Sequence, residues 1–398
     1  MRVLFLGGVF DDSHYSELIS KTKTYVEYAA NNFQKKIIYG FKKNNTPIEV
    51  ISIPFLGAYP TAYSDIYFLG FKNMQKDNSG YKYCHFNNFY GYRNISRYHA
   101  AKKSLISFIN IDDEKKLIVV YAPHTPFIRA ANWAKRKDPR IRICLIVPDL
   151  PQYMNLSEKV SPIYSFLKSL DLKQFYKENK TIDSYILLTE QMAEVLNVGN
   201  RPYKVVEGIY EAVSGVSKKS DDIKTIVYTG KLNSAFGIVN LVKAFHRINN
   251  PNLRLVICGN GECRDEILHM ADDDTRIIFK GQVSSDVARQ CILDGDILVN
   301  PRPNNSVYTR YSFPSKILDY LASGNPTVAF KLDGMPEVYK NFIYYIPENT
   351  VESIANTILC VIDANPEDIR KRSNNALQYI KTHLSMQKIA QDILELNF

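Results

Sequence analysis

The stretch Asn300-Pro301-Arg302-Pro303, continued by Tyr308-Thr309-Arg310-Tyr311-Ser312-Phe313-Pro314-Ser315-Lys316-Ile317-Leu318-Asp319-Tyr320, gathers the residue types that hold a phosphate. An apolar run ends at Asn300, a polar loop follows, and Pro314-Ser315 predicts a helix start with Ser315 as its cap. Backbone N–H groups at that start, together with Lys316, Arg302 and Arg310, would form an anion site suited to a diphosphate. Asp319 follows one turn later, where a carboxylate accepts from two sugar hydroxyls at once, and Gly324 ends the helix. The plainer alternative is a capped surface helix with solvated cations.

Other candidates stand at the ends of apolar runs. His124 follows Leu117–Tyr121 and Asp149 follows Ile141–Val147. A carboxylate or imidazole there can orient a hydroxyl or take its proton; a loop histidine beside Pro123 and an Asx turn before Leu150-Pro151 are the structural alternatives. Gly7-Gly8 either lets a backbone approach a diphosphate closely or makes a tight turn. Glu207 touches a ligand or marks a hinge. Gly230-Lys231, Gly259–Gly261 and Gly281-Gln282-Val283 end further β-like runs. The six cysteines form no CxxC pair and no metal spacing, so reduced, packed thiols are expected, with neither zinc nor disulfide. Ile128–Lys137 contains the only tryptophan, Trp133, and five cations lie between Lys135 and Arg142. Such a segment suits anionic lipid headgroups or is a solvated face. No nucleic-acid motif accompanies it.

The elements that must position these residues follow from pattern. With 398 residues, 45% of them hydrophobic and 23% charged, the chain is globular and long enough for two domains. The short apolar start Val3–Leu6 reads as a buried strand rather than a signal peptide, which points to the cytoplasm. Unalternated Val/Ile/Leu runs at Arg2–Leu6, Lys36–Tyr39, Ile48–Ile53, Leu117–Tyr121, Ile141–Val147 and Ser184–Leu188 predict parallel strands covered by helices, one of them over Tyr15–Asn31. Residues 55–98, rich in Tyr, Phe and Asn, read as a long insertion beside the site. From Lys224 a second strand–helix alternation begins. The expected division is 1–206, an acceptor-binding domain; 207–222, a linker; 223–375, a second domain; and 376–398, a C-terminal helix returning towards the first. Two doubly wound Rossmann-like α/β domains facing a cleft would place ligands at the carboxyl ends of strands. Residues 1–204 hold 29 Lys and Arg against 18 Asp and Glu, a net charge of +11, and the remainder carries −2. The first half is therefore the one to meet an anionic surface.

Over residues 228–345 the sequence resembles the nucleotide-sugar-binding domain of family 4 retaining glycosyltransferases, which have the GT-B fold. The resemblance is carried by Tyr228-Thr229-Gly230-Lys231, Leu255–Gly261, Phe279-Lys280-Gly281, Asp296–Pro301, Phe313–Tyr320, Gly324-Asn325-Pro326 and Pro336-Glu337. Residues 1–200 resemble the family only in outline. The resemblance implies a nucleotide-sugar donor, expected to be UDP-linked, bound around Gly8, Gly230, Lys231, Val283, Arg302, Tyr311, Ser315, Lys316 and Asp319. It implies no metal or cofactor, and Pro148-Asp149 stand where the family has its acceptor-side histidine; Asp149 and His124, at their strand ends, are the candidate catalytic residues. Asp319 matches the family's ribose-gripping acid, Tyr311 stands where the family has an acid, and Phe236 where it has a second base. The expected acceptor is a glycan, lipid-linked in bacterial surface polysaccharide synthesis, reached by a peripheral membrane enzyme. A nucleotide-sugar epimerase and a non-catalytic scaffold are the alternatives.

Overall fold

The computed structural model describes residues 1–72, 77–153, 162–210 and 223–398. They form two compact units, Met1–Ile209 with Met386–Phe398, and Tyr210–Ser385. The first unit holds strands β1 (Arg2–Gly7), β2 (Ile48–Ser52), β3 (Tyr67–Phe68), β4 (Lys82–Tyr83), β5 (Phe86–Asn87), β6 (Lys116–Tyr121), β7 (Ile141–Val147), β8 (Ser184–Leu187) and β9 (Tyr203–Val205). Seven of these make one parallel sheet in the order β4-β2-β1-β6-β7-β8-β9, while β3 and β5 pair antiparallel within the Tyr- and Phe-rich insertion. Every residue of β6 is buried, as the unalternated apolar run requires of a strand covered on both faces.

Two local expectations are corrected. Lys36–Tyr39 is not a strand but part of the helix Tyr28–Lys43. Asn31, Gln34, Ile37, Ile38 and Phe41 share its buried face, and Ile37, Ile38 and Phe41 join Val3 and Phe5 in the core. A four-residue apolar run carries no period that separates helix from strand; the flanking polar positions decide it. The helix expected over Tyr15–Asn31 is interrupted, ending at Lys21 and resuming at Tyr28.

The chain's end also differs from the expected single helix. Pro366–His383 belongs to the second unit, and Met386–Glu395 returns to the first, where Ile389, Ala390 and Ile393 enter its core. Gly40 permits this crossing, since a Cβ there would lie 2.1 Å from the Met386 carbonyl oxygen. Of the expected linker, residues 211–222 lie outside the described residues; Glu207 is buried, and the Tyr210 N–H donates to the Leu384 carbonyl at 2.9 Å.

The second unit is one parallel sheet of β10 (Lys224–Thr229), β11 (Leu253–Cys258), β12 (Ile277–Gly281), β13 (Ile297–Asn300), β14 (Thr327–Phe330) and β15 (Ile343–Ile346), in the order β12-β11-β10-β13-β14-β15. Chain direction across the sheet reverses between β10 and β13. In the first unit the reversal lies between β1 and β6. Crevices outside the carboxyl ends at such switch points are where doubly wound sheets bind ligands.

Candidate functional site

At the second unit's switch point the loops interlock through backbone. Gly230 N–H donates to the Cys258 carbonyl and Leu232 N–H to the Asn260 carbonyl, each at 2.9 Å, and the Tyr228 hydroxyl donates to the Lys231 carbonyl at 2.8 Å. Lys231 itself is exposed. Beyond the short turn Ser234–Phe236, Gly237 adopts φ +74° and caps the helix Ile238–Arg247. A Cβ on Gly237 would sit 2.1 Å from the Pro301 carbonyl oxygen, so the loops after β10 and β13 meet where only glycine fits.

That contact brings Phe236 to Arg302. The guanidinium lies 5.4 Å from the ring centroid, and its Nη2 donates to Ser312 Oγ at 3.3 Å. Burial lowers the Arg302 pKa, though an arginine so held remains a cation at neutral pH. The loop is tied down elsewhere: Asn304 Nδ2 donates to Asp333 Oδ1 at 2.7 Å and the Thr309 hydroxyl to Asn304 Oδ1 at 2.6 Å. Arg302 thus sets a cation over the Phe236 ring.

The helix Ser315–Ser323 starts one residue earlier than a Ser315 cap requires. Pro314 (φ −71°, ψ 106°) is the cap residue, and no side chain caps the helix. Proline's fixed φ and extended ψ make Pro314 the last non-helical residue, which moves Ser315 into the first turn. The first-turn N–H groups therefore have no side-chain cap to compete with an anion. Lys316 Nζ lies 3.3 Å from Asp319 Oδ2, both partly exposed, so the two candidates form one pair on the helix surface.

Two tyrosines that sequence reasoning did not single out position this helix. Tyr320, fully buried, accepts from the Thr229 N–H at 2.9 Å and fixes the helix to the end of β10. Tyr210 donates to the Ser315 carbonyl at 3.3 Å, and burial together with the Asp319 carboxylate pushes its phenol pKa up. In the sequence Tyr320 reads only as one more apolar-face residue, and Tyr210 lies in the expected linker. Tyr311 ends the short helix Val307–Tyr311, half-buried, beside exposed Arg310. Val283, after β12, packs on the cluster containing Cys258, Cys291 and Tyr320. Gly230, Lys231 and Arg302 thus stand on the loops after β10 and β13, and Ser315, Lys316 and Asp319 on the helix that follows the second of them.

The first unit's switch point differs. Gly8 N–H donates to Gln34 Oε1 at 2.9 Å, and a Cβ on Gly8 would fall 2.4 Å from the Phe55 ring. The close approach at this glycine is to the chain's own Phe55. His124 precedes the helix Thr125–Lys137 with its ring edge-on to Phe55 and Phe127, at centroid distances of 5.9 and 4.7 Å. Its Nε2 is buried and has no partner among the described residues. Burial, then Arg97 and Arg93, hold the imidazole well below its usual pKa, and so neutral. Arg97 is buried too; it donates to the Pro54 and Leu56 carbonyls at 3.2 and 3.1 Å, and burial lowers its pKa to about 9. Asp149 lies near Tyr121, whose phenol pKa is pushed up by burial and then by that carboxylate. Tyr121 and His124 both pack on Phe55, at centroid distances of 6.3 and 5.9 Å.

Three of the segment's five cations are bridged to carboxylates. Lys135 and Arg142 both bridge to Asp183, at 2.7 and 3.1 Å, and Arg140 bridges to Asp138 and Asp112, each at 2.9 Å. Arg136 and Lys137 remain exposed. Among the described residues no group of His, Cys, Asp and Glu is placed to hold a metal ion, and no helix is long and apolar enough to cross a membrane.

Residues 223–364 match the family model of glycosyl transferases group 1. No curated protein matches the sequence. Among solved structures, the apo form of the lipopolysaccharide outer core galactosyltransferase WaaB is 12% identical, with a TM-score of 0.63 over 100% of this chain and 99% of that one. HepE of Anabaena, in complex with UDP, is 14% identical, with a TM-score of 0.59 over 99% of each chain. Sucrose-phosphate synthase of Thermosynechococcus elongatus is 13% identical, with a TM-score of 0.62 over 100% of this chain and 98% of that one. At such identities the likeness is one of fold. The chain has the GT-B fold of two Rossmann-like domains and carries a group 1 glycosyltransferase domain at 223–364.

Proposed function

We propose that the protein is a retaining glycosyltransferase of family 4. In this reading it moves a sugar from a UDP-sugar to a hydroxyl of a lipid-linked glycan in bacterial surface polysaccharide synthesis. The carrying observation is the switch point between β10 and β13, where the loops bearing Lys231 and Arg302 meet at Gly237 and Pro301 and lead to a helix start, beside Lys316, with no side-chain cap. Three cations and oriented N–H groups favour a diphosphate as it departs with added negative charge, and they need no reorganisation at that moment. Asp319, paired to Lys316, accepts from the nucleotide ribose, while Gly230 and Val283 shape the wall and Tyr311 faces the donor sugar. UDP in the HepE structure supports the choice of nucleotide. No metal or other cofactor enters this scheme.

In the first unit Asp149 orients the acceptor hydroxyl, and His124 serves as a neutral hydrogen-bonding ring rather than an acid. Membrane docking is supported by exposed Arg136 and Lys137 and by Phe166, Leu167 and Leu170, which stand 63, 45 and 44% exposed on the helix Pro162–Asn179. The test is a thermal-shift and calorimetric screen of nucleoside diphosphates, followed by transfer assays with UDP-sugars. UDP should raise the melting temperature. A protein indifferent to every nucleotide overturns the reading. Epimerisation of a UDP-sugar without an acceptor would instead make it an epimerase, and tight binding without transfer a scaffold.

A further inference from the structure

The edge strand β15 and the helices Val351–Ile362 and Pro366–His383 line a groove of about 760 Å³ that continues into a recess of about 450 Å³. Lys340, Tyr344 and Arg372 line both parts. The groove belongs to the second unit but to none of the loops after β10 or β13.

Its chemistry narrows the occupant. Charge is balanced, with Lys340, Lys371 and Arg372 against Glu348, Glu352 and Asp368, so a polyanion gains no net attraction. Addition of a peptide strand is hindered, because Arg372 Nη1 already donates to the Lys340 and Ile343 carbonyls at 2.9 and 3.4 Å and blunts the edge. The remaining lining offers phenol rings and amides: Tyr344, Tyr345, Asn356 and Asn375. Arg372 lies 4.6 Å over the Tyr344 ring and holds it in place. The Tyr344 hydroxyl is buried and has no partner among the described residues, an unmet demand that a ligand hydroxyl answers. Open, uncharged overall, walled by rings and amides, and as large as ordinary ligand sites, the groove suits a flexible polyhydroxylated chain.

We propose that this groove is a second carbohydrate site, which holds a neutral segment of the glycan away from the site of transfer. The proposal rests on the reading of the protein as an enzyme acting on a glycan. It needs no transfer to be tested. Calorimetry and saturation-transfer NMR on the full chain, with neutral hexasaccharides of α-glucose, β-glucose and N-acetylglucosamine, should find at least one that binds. Tyr344→Phe should weaken that binding about five-fold, the scale of one neutral hydrogen bond. It should leave the melting temperature unchanged or raised, since only an unpaired hydroxyl is lost; a merely structural Tyr344 would lower it. Asn356→Trp, an exposed position on the groove wall, should abolish binding by filling the space. Binding by no hexasaccharide, binding untouched by both variants, or tighter binding of a sulfated hexasaccharide each overturns the site. UDP binding measured on the same samples separates the two claims: its presence without glycan binding removes only the groove, and its absence removes the transferase reading.

Discussion

The two sheets share a topology, yet their switch points handle charge in opposite ways. Between β10 and β13, Lys231 is exposed, Lys316 touches only a partly exposed carboxylate, and Arg302 rests on an aromatic face. Between β1 and β6, the polar groups face inward: Gly8 and Phe10 N–H donate to Gln34 and Asn31, and Arg97 is buried on carbonyls. The first half carries the basic excess, but structure consumes much of it. Lys36 donates to the Ile209 carbonyl, Arg201 to those of Val198 and Asn179, and Lys116 lies buried against Asp138. Net charge by domain is therefore a poor guide to where an anion binds. Removing a cation from the first unit should damage stability, and removing one from the second should damage ligand affinity.

The largest effect should come from Asp138→Ala. It strands Lys116, whose ammonium lies 2.8 Å from Asp138 Oδ2 with no exposure, and breaking a buried pair from one side costs about 3–5 kcal/mol. Urea unfolding should record that loss, and Lys116→Met in the same chain should recover much of it. The effect carries a pH signature. Arg140 hydrogen bonds and then Lys116 hold the Asp138 carboxyl well below the usual range. Its contribution is complete above the unfolded value of about 4 and is lost as pH falls below that towards the folded pKa. The gap between wild type and Asp138→Ala should therefore narrow below pH 4. A gap that is constant with pH would show that the pair is not the cause.

In the second unit Arg302→Ala should leave the unfolding midpoint nearly unchanged and weaken UDP binding by about 1.5–3 kcal/mol, the range for a charged hydrogen-bond partner. Uridine should lose little, because the lost contact is to phosphate. Equal losses for UDP and uridine would move Arg302 away from the diphosphate and blur the contrast between the units. Asp319→Ala comes next, at about 1–2 kcal/mol. Its pairing with Lys316 is partly exposed and worth little by itself, so any loss reports on the ligand. It should appear for uridine as well as UDP, the reverse of Arg302.

These contrasts also show what the sequence could carry. Most strands of both sheets are legible as unalternated apolar runs, though the short β4, β9 and β15 are not. The polar loop before the helix Ser315–Ser323 is legible as a break between a strand and a helix, because each depends on neighbours in sequence. The helical state of Lys36–Tyr39 is not, since its apolar face is completed by Asn31 and Gln34, whose polarity hides them from a hydrophobic pattern. The stacking of Arg302 on Phe236 joins residues on different loops and follows from the Gly237–Pro301 contact. Tyr320 and Thr229 likewise meet across 91 positions. The pairing of Lys135 and Arg142 with Asp183 lowers the charge of the basic patch, and no local charge count contains that partner.

The smallest effect concerns the membrane, and it tests whether any basic charge of the first unit remains available. Of the five cations between Lys135 and Arg142, three are bridged to carboxylates, which leaves Arg136 and Lys137 exposed next to Trp133. Each free cation near an anionic surface contributes on the order of 1 kcal/mol, less as salt rises. Replacing Arg136 and Lys137 with Gln should then weaken sedimentation with phosphatidylglycerol vesicles roughly ten- to thirty-fold at low salt, within the sum of two such terms. Replacing Lys135 and Arg142 should change vesicle binding less and stability more, because their charge already faces Asp183. UDP affinity should hold in both variants, since the donor residues belong to the other unit. If Phe166, Leu167 and Leu170 supply the apolar part of docking, Leu170→Glu should reduce vesicle binding even at high salt, where the cation terms are screened. Wild type that does not sediment with anionic vesicles at low salt would remove the membrane from the proposal. The first half's excess charge would then be wholly structural, and the contrast between the two units complete.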